Sequence, residues 1–481
     1  MTTRSVAHAE PRTEARSAAV LAAALLLVEL VAACQSYLTT TITPLMAQDL
    51  HAQDGYGLLV AATQAAMFLT MPLGAALLSR WSASQMLTWL TPLVVVGGVL
   101  SAFAPTFALF VSGRVLAALA AGALMTVSLS ALATALPAAW RRLVLAGYAM
   151  VWLVASLVGP VYAGWASSAI GWRWSLVAYL PLFLIARAVV IVRLRQLDRA
   201  QQDGRDPLGL GPAVGLATGV TLLSLVGTSV PGTVVGIAGG ALVLAAAARI
   251  LPAGTLVARP GRPATILLMG LLCAVYFGGH AVVAITAHDL IGRTAGDLAL
   301  LLGLGGAAWS VLGMVCGRWP ARDHTAYLRR VVGAAGLLAA GFAALALSLL
   351  SAASLLPATL LPSATGAWEL HLVGWALTGA GMGLAYVDTL NRVLDEPTAP
   401  DGIGTHVAAQ ALVMAEVVGT ALLATVTASA LAWVLSAATE RGVFAAGVYL
   451  ALGMLALLLI PLAWRSEQVA DLGQVGFRRR S

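Results

Sequence analysis

Three acids and one base sit inside long apolar runs. Glu29 lies in AVLAAALLLVELVAACQSYL, Asp388 in GLAYVDTLNR, Glu416 in AQALVMAEVVGTALLATV and Arg114 in GRVLAALAAGALM. A charge in apolar surroundings is costly and marks function. Burial favours the neutral form of a carboxyl, and a nearby guanidinium favours its ionised form. An acid whose pairing changes with conformation therefore takes up and releases a proton, which makes it a coupling device. Each group also has a plainer reading: a static buried pair for Glu29 and Arg114, a helix-packing contact for Glu416, and an i,i+4 pair with Arg392 for Asp388. Glu416 is equally suited to a cationic substrate or a second proton.

Other side chains have the types that line a binding site. His280 closes the run Tyr276-Phe277-Gly278-Gly279-His280, where a double glycine permits a break and an imidazole titrates near neutral pH. It reads as a substrate contact or as a hydrogen-bonded structural group. Gln35, Gln64, Met67, Tyr148, Trp152, Trp309, Gln410 and Met414 lie on apolar runs and could face a cavity, lipid or core.

Apolar helices must position all of these. The chain has 481 residues, of which 60% are hydrophobic and 10% charged. A soluble domain carries about 25% charged residues, so this is a polytopic helical membrane protein. Runs of about 20 residues exclude a β-barrel, whose strands are short and alternating. Fourteen spans fall near 18–43, 56–79, 86–104, 107–135, 143–167, 174–193, 208–228, 232–250, 264–287, 297–317, 330–350, 371–390, 404–434 and 443–464. The first run follows a polar stretch and is too long for a signal peptide, so it reads as an uncleaved span. The expected domains are 1–195, a six-helix bundle; 196–262, a linker and two extra helices; and 263–481, a second six-helix bundle. The charged stretch Arg193 to Pro207 reads as a solvated loop, and 351–370 as a long external connection or lid.

All 27 basic residues are arginine. With this helix count, 22 of them fall on the side of the two termini, which predicts cytoplasmic termini in a bacterial inner membrane. Arginines spread over loops are not a nucleic-acid footprint. With no lysine there is no lysine-bearing phosphate loop, and no zinc spacing or nucleophile elbow is present. The expectation is a non-enzyme without cofactor or metal. Cys34, Cys273 and Cys316 lie far apart in or beside apolar runs and read as buried small hydrophobes.

One stretch organises the rest: ASLVGPVYAGWASSAIGWRW, Ala155 to Trp174. A Gly-Pro in mid-span is tolerated where neighbouring helices re-satisfy the freed backbone, and small residues let a partner come close. Gly159, Pro160 and Gly164, followed by Trp172-Arg173-Trp174, resemble the antiporter motif of the major facilitator superfamily, in its fourteen-helix drug:proton antiporter branch. Arg114 with the small residues after it resembles that family's fourth-helix motif. The resemblance implies two six-helix bundles, a bent fifth helix sealing one end of a cavity, and an arginine coupled to acids of the first helix. A weak repeat supports it: Arg80-Trp81-Ser82-Ala83 matches Arg318-Trp319-Pro320-Ala321, with Gly74 and Gly313 shortly before each. Substrate sites in such two-repeat folds lie between the halves.

The chain departs from the family's pattern at two places. Gln35 stands where such antiporters often carry an aspartate, and Glu29 is the nearest replacement. In the loop from Gly74 to Ser84, Ser79 replaces the acid and Ser82 the glycine while Arg80 is kept, which implies a weaker or differently built latch. The implied function is proton-driven export of a small hydrophobic or cationic compound by a monomer, with substrate, protons and lipid as partners and Glu29 protonated from outside. The alternatives are a facilitator, importer or lipid or siderophore exporter without this coupling, and a non-transporting sensor or scaffold.

Overall fold

A computed structural model describes residues 10–78, 80–135, 138–197, 210–226, 229–354, 364–394, 403–437 and 440–468. Every regular element among them is helical. In chain order they are α1 Glu10–Asp49, α2 Tyr56–Leu78, α3 Ala83–Ala102, α4 Phe107–Ala135, α5 Ala138–Ala169, α6 Gly171–Ser175, α7 Leu180–Leu197, α8 Leu210–Leu223 and α9 Val230–Ile250. Then follow α10 Arg262–Asp289, α11 Ala295–Arg318, α12 His324–Ala352, α13 Ala364–Leu394, α14 Thr405–Ala437, α15 Arg441–Leu457 and α16 Leu459–Glu467. A 3-10 turn, Gln53–Gly55, joins α1 to α2.

These helices make fourteen apolar passes, because α6 with α7 and α15 with α16 each form one. Eleven passes among the described residues are long and apolar enough to cross a membrane. The last pass breaks at Leu458, where Pro461 leaves the carbonyl of Leu457 without its helical donor. The start of α1 and the end of α16 therefore share one face, here the terminal face; the opposite one is the distal face.

Packing divides the passes into two groups. Within the first, α1 lies against α5 and α7, and α4 against α2 and α3. Within the second, α10 lies against α14, and α13 joins α11 and α12. The two groups meet where α5 packs on α11 and α2 on α14. The pair α8–α9 rests on α2 and reaches α14, so it covers that seam from one side.

The expected connection at 351–370 is shorter than the sequence suggests. Residues 364–370 are the first two turns of α13, since Ala367 and Trp368 bury there. Residues 355–363 and most of the expected loop at 193–207 lie outside the described residues.

Candidate functional site

In the second group a run of rings leads to a carboxylate. Tyr276, Phe277 and His280 sit on α10. Tyr276 stacks on Trp375 of α13, with centroids 5.3 Å apart and planes at 19°. It meets Trp309 of α11 edge-on at 5.3 Å, and Phe277 meets the same indole at 6.1 Å. Trp309 in turn meets Tyr386 of α13 at 6.2 Å. The Tyr386 hydroxyl donates to Glu416 of α14, at 3.3 Å to Oε1 and 3.5 Å to Oε2. Both bonds are long, so the carboxyl is lightly held. At the other end His280 meets Tyr37 of α1 at 6.0 Å, across the seam between the groups. Each ring pair contributes about 0.5–1.5 kcal/mol beyond its burial, which fixes the path from seam to acid.

Tyr276, His280, Trp309 and Glu416 are therefore brought together. Trp375, Tyr386 and Tyr37, which complete the path, were missed: they lie far away in sequence, and only the packing of α1, α10, α11 and α13 joins them.

The first group treats its acid differently. Glu29 follows Leu21, Leu25 and Val28, which share one buried cluster with Phe183, Ala186 and Val190 of α7. Arg187 lies among the latter, 4% exposed, with its guanidinium 5.3 Å from the Phe183 ring. It lies on the helix that packs against α1, the helix of Glu29. Asp49 and Phe107 mark the distal ends of α1 and α4. At 1.5 Å per residue, Glu29 lies about 30 Å from that end and Arg114 about 10 Å. The structure thus does not bring Arg114 and Glu29 together, and Arg187, which lies in the apolar run 174–193, was not singled out from the sequence.

Asp388 does not form the i,i+4 pair expected with Arg392. Its Oδ2 takes Arg330 Nη1 of α12 at 2.6 Å, and its Oδ1 accepts the Ala321 N–H at 3.0 Å. Arg330 also donates to the Trp319 carbonyl. Arg392 pairs with Glu467 of α16 at 2.9 Å, and Glu467 also meets His324 at 2.9 Å. A carboxylate in a tight bundle takes the guanidinium that the next helix aims at it, and sequence spacing carries no sign of that. This clamp holds the loop Arg318-Trp319-Pro320-Ala321. In the matching loop of the first group Arg80 and Trp81 are exposed, and Gly74 packs against the Ala123 carbonyl of α4.

The Gly-Pro stretch lies at the seam. Gly159 faces the Tyr37 ring of α1, and Pro160 sits beside Gly303 of α11. A Cβ on Gly164 would lie 2.6 Å from that of Ala299, and one on Gly306 would lie 2.7 Å from that of Ser156. Ser156 Oγ and Ser310 Oγ are 2.7 Å apart. Arg173 ties the distal rim together through the carbonyls of Ala102 and Ala104 and through Asp49 at 2.9 Å, with Trp172 under its guanidinium. Trp174 packs edge-on against Phe103.

The remaining candidates are dispersed. Gln35 is half-buried, and its amide nitrogen has no partner. Gln64, Met67 and Met414 are half-buried and Gln410 is exposed. The side chains of Tyr148 and Trp152 lie outside the described residues. Cys34 is half-buried, Cys273 and Cys316 are buried, and all three are free.

Comparison with known proteins gives the fold a context. A model described as Major Facilitator Superfamily matches residues 25–414. The multidrug efflux pump SdrM of Staphylococcus aureus is 26% identical over 35% of this chain and 38% of its own length. The fatty acid resistance protein FarB of Neisseria gonorrhoeae is 29% identical over 34% and 33%. The multidrug export protein EmrB of Haemophilus influenzae is 27% identical over 43% and 40%. The matched part thus spans about a third to two fifths of the length of these curated relatives. Among solved structures, an auto-inhibited POT family peptide transporter superposes with a TM-score of 0.60 at 15% identity, covering 95% of this chain and 99% of that one. An inward-facing, unoccupied bacterial homologue of the human lysosomal transporter Spinster gives 0.58 at 13%, covering 94% and 97%. At such identities the likeness is one of fold.

Proposed function

The chain belongs to the major facilitator superfamily, and from that premise we propose that it is a proton-coupled exporter of small hydrophobic or cationic compounds, not an enzyme. The observation that carries the reading is Glu416: a carboxyl within a membrane-spanning helix, held by one phenol at the end of a ring path that starts at the seam. Such a group suits a proton in one state and a cationic or aromatic guest in the other. Glu416 is a better carrier than Glu29, whose helix packs against the one that buries the Arg187 guanidinium. The efflux activities named for the relatives support export. The seam contacts described above, from Ser156 to Gly164 on α5, lie in the distal half, which fits a carrier open toward the terminal face.

In this reading the arginine bias puts the terminal face in the cytoplasm of a bacterial cell, and the chain works as a monomer. Substrate loads from that side. Glu416 gives up its proton as substrate binds and regains one when the bundles have rocked. A facilitator without proton exchange is the second reading, favoured by Gln35 at the position where an acid was expected.

Proteoliposomes under an imposed pH gradient test the proposal. Addition of amphiphilic cations and neutral drugs should release protons in proportion to the compound moved. Compound movement that ignores the gradient and moves no proton would favour the facilitator.

A further inference from the structure

His280 stands apart from its neighbours of the same type. His288, His324 and His371 each meet a carboxylate or a hydroxyl through Nδ1. The ring nitrogens of His280 bond nothing among the described residues. What surrounds it is a set of rings: Trp375 at 5.9 Å, Tyr37 at 6.0 Å, Phe277 at 6.1 Å and Tyr276 at 6.4 Å between centroids. A histidine kept inside a bundle for structure is hydrogen-bonded as a rule. The packing here makes no such provision, so the structural reading of His280 loses its support.

The imidazole opens to the seam and not to lipid. α10 is the most enclosed of the described spans, with 72% of its most apolar stretch buried. A Cβ on Gly278 would lie 3.0 Å from Leu423 of α14, and one on Gly279 would lie 2.5 Å from Phe342 of α12. These close approaches press that side of α10 onto its own group and leave His280 toward α1. There it meets Tyr37, which is backed in turn by Gly159 of α5. His280 is half-buried, so its accessible edge borders the space between the groups.

A neutral imidazole has one N–H and one lone pair. Set among rings, both are offered to whatever occupies the seam. A planar aromatic guest suits the ring faces, and a hydroxyl on that guest completes the bonds of the imidazole. A guest without one displaces water from the nitrogens and leaves them unpaired, which costs binding. Sites built to bond a hydroxyl reject the analogue that lacks it far more strongly than apolar pockets reject a missing methylene. We infer that His280 is a specificity-determining residue that selects aromatic substrates carrying a ring hydroxyl over those carrying none. Glu416 answers to the charge of the guest, and His280 answers to its hydroxyl. The inference rests on the reading that the ring path holds the exported compound.

The probes are a naphthylmethyl-trimethylammonium cation and the same cation with a hydroxyl on the far ring. Both are permanently charged, and the hydroxyl is their sole difference. Equilibrium binding is measured on the full chain in lipid nanodiscs, with binding to empty nanodiscs subtracted. Wild type should bind the hydroxyl compound about tenfold tighter. His280→Phe keeps a ring and should bring the two affinities together by weakening the hydroxyl compound alone. His280→Gln keeps a donor and an acceptor and should restore part of the preference. A histidine with a purely structural role would shift both affinities alike and leave their ratio. Equal affinities in wild type, binding of neither compound, or a preference undiminished in His280→Phe would overturn the inference. Glu416→Gln tests the export reading separately: it should weaken both compounds equally and leave the ratio intact. No weakening there would count against Glu416 as the acid that meets the guest, with the His280 ratio still standing.

Discussion

In the N-terminal half the helix of the acid packs against one that buries a guanidinium, Arg187; in the C-terminal half the acid lies beside a phenol and a run of rings. At the terminal face the contrast reverses. The C-terminal loop is clamped by Asp388 and Arg330, whereas its N-terminal counterpart leaves Arg80 exposed. The two six-helix units thus surround their acids differently. The half with the lightly held acid carries the clamp at the terminal face, and the half with the exposed Arg80 buries Arg187 on the helix packed against that of its acid. A proton carrier needs a carboxyl whose surroundings change between states, and a frame that stays fixed around it. The C-terminal half offers a carboxyl bonded by a phenol and a clamped terminal face.

Substitutions can break that comparison. The largest effect is expected at the clamp. Arg330→Ala leaves the 3% exposed Asp388 carboxylate without its cation and should cost about 3 kcal/mol. Arg80→Ala should stay within about 0.5 kcal/mol. Thermal melting in one detergent compares the two, and equal losses would erase the division. Next in size is the seam. Gly306→Val would push into Ser156 and should disfavour the closed distal state by about 2 kcal/mol, lowering transport accordingly. Gly313→Ala, whose nearest neighbour atom would be 3.9 Å away, should transport normally. If both behave alike, α5 and α11 are not the surfaces that meet and part.

Smaller effects should come from the partners of the two acids. Arg187→Gln removes the buried guanidinium on the helix packed against that of Glu29 and should lower stability by about 1–2 kcal/mol with little loss of proton coupling. Tyr386→Phe removes one long hydrogen bond shared between the two carboxylate oxygens and should cost at most about 1 kcal/mol, yet alter the pH profile of transport. The reverse pattern would exchange the roles assigned to the halves.

The sequence shows the passes clearly, because length and apolarity alone set a membrane helix. It shows the seam in outline through Gly159, Pro160 and Gly164, whose small size already implies close approach. Partnerships between helices are another matter. Asp388 stands four residues from Arg392, yet it turns to Arg330 on another helix. Arg114 carries the family-like pattern, yet Arg187 is the buried base on a helix packed against that of Glu29. Spacing along one helix fixes which face a residue occupies; only packing fixes what that face meets. The ring path joins residues from different helices and has no local signature at all.

The measurement that bears most directly on the account is substrate-driven proton release in proteoliposomes, with wild type, Glu416→Gln and Glu29→Gln run side by side. The account predicts that Glu416→Gln abolishes release, while Glu29→Gln keeps it at a reduced rate. Release lost in Glu29→Gln and intact in Glu416→Gln would contradict it and place the proton in the N-terminal half.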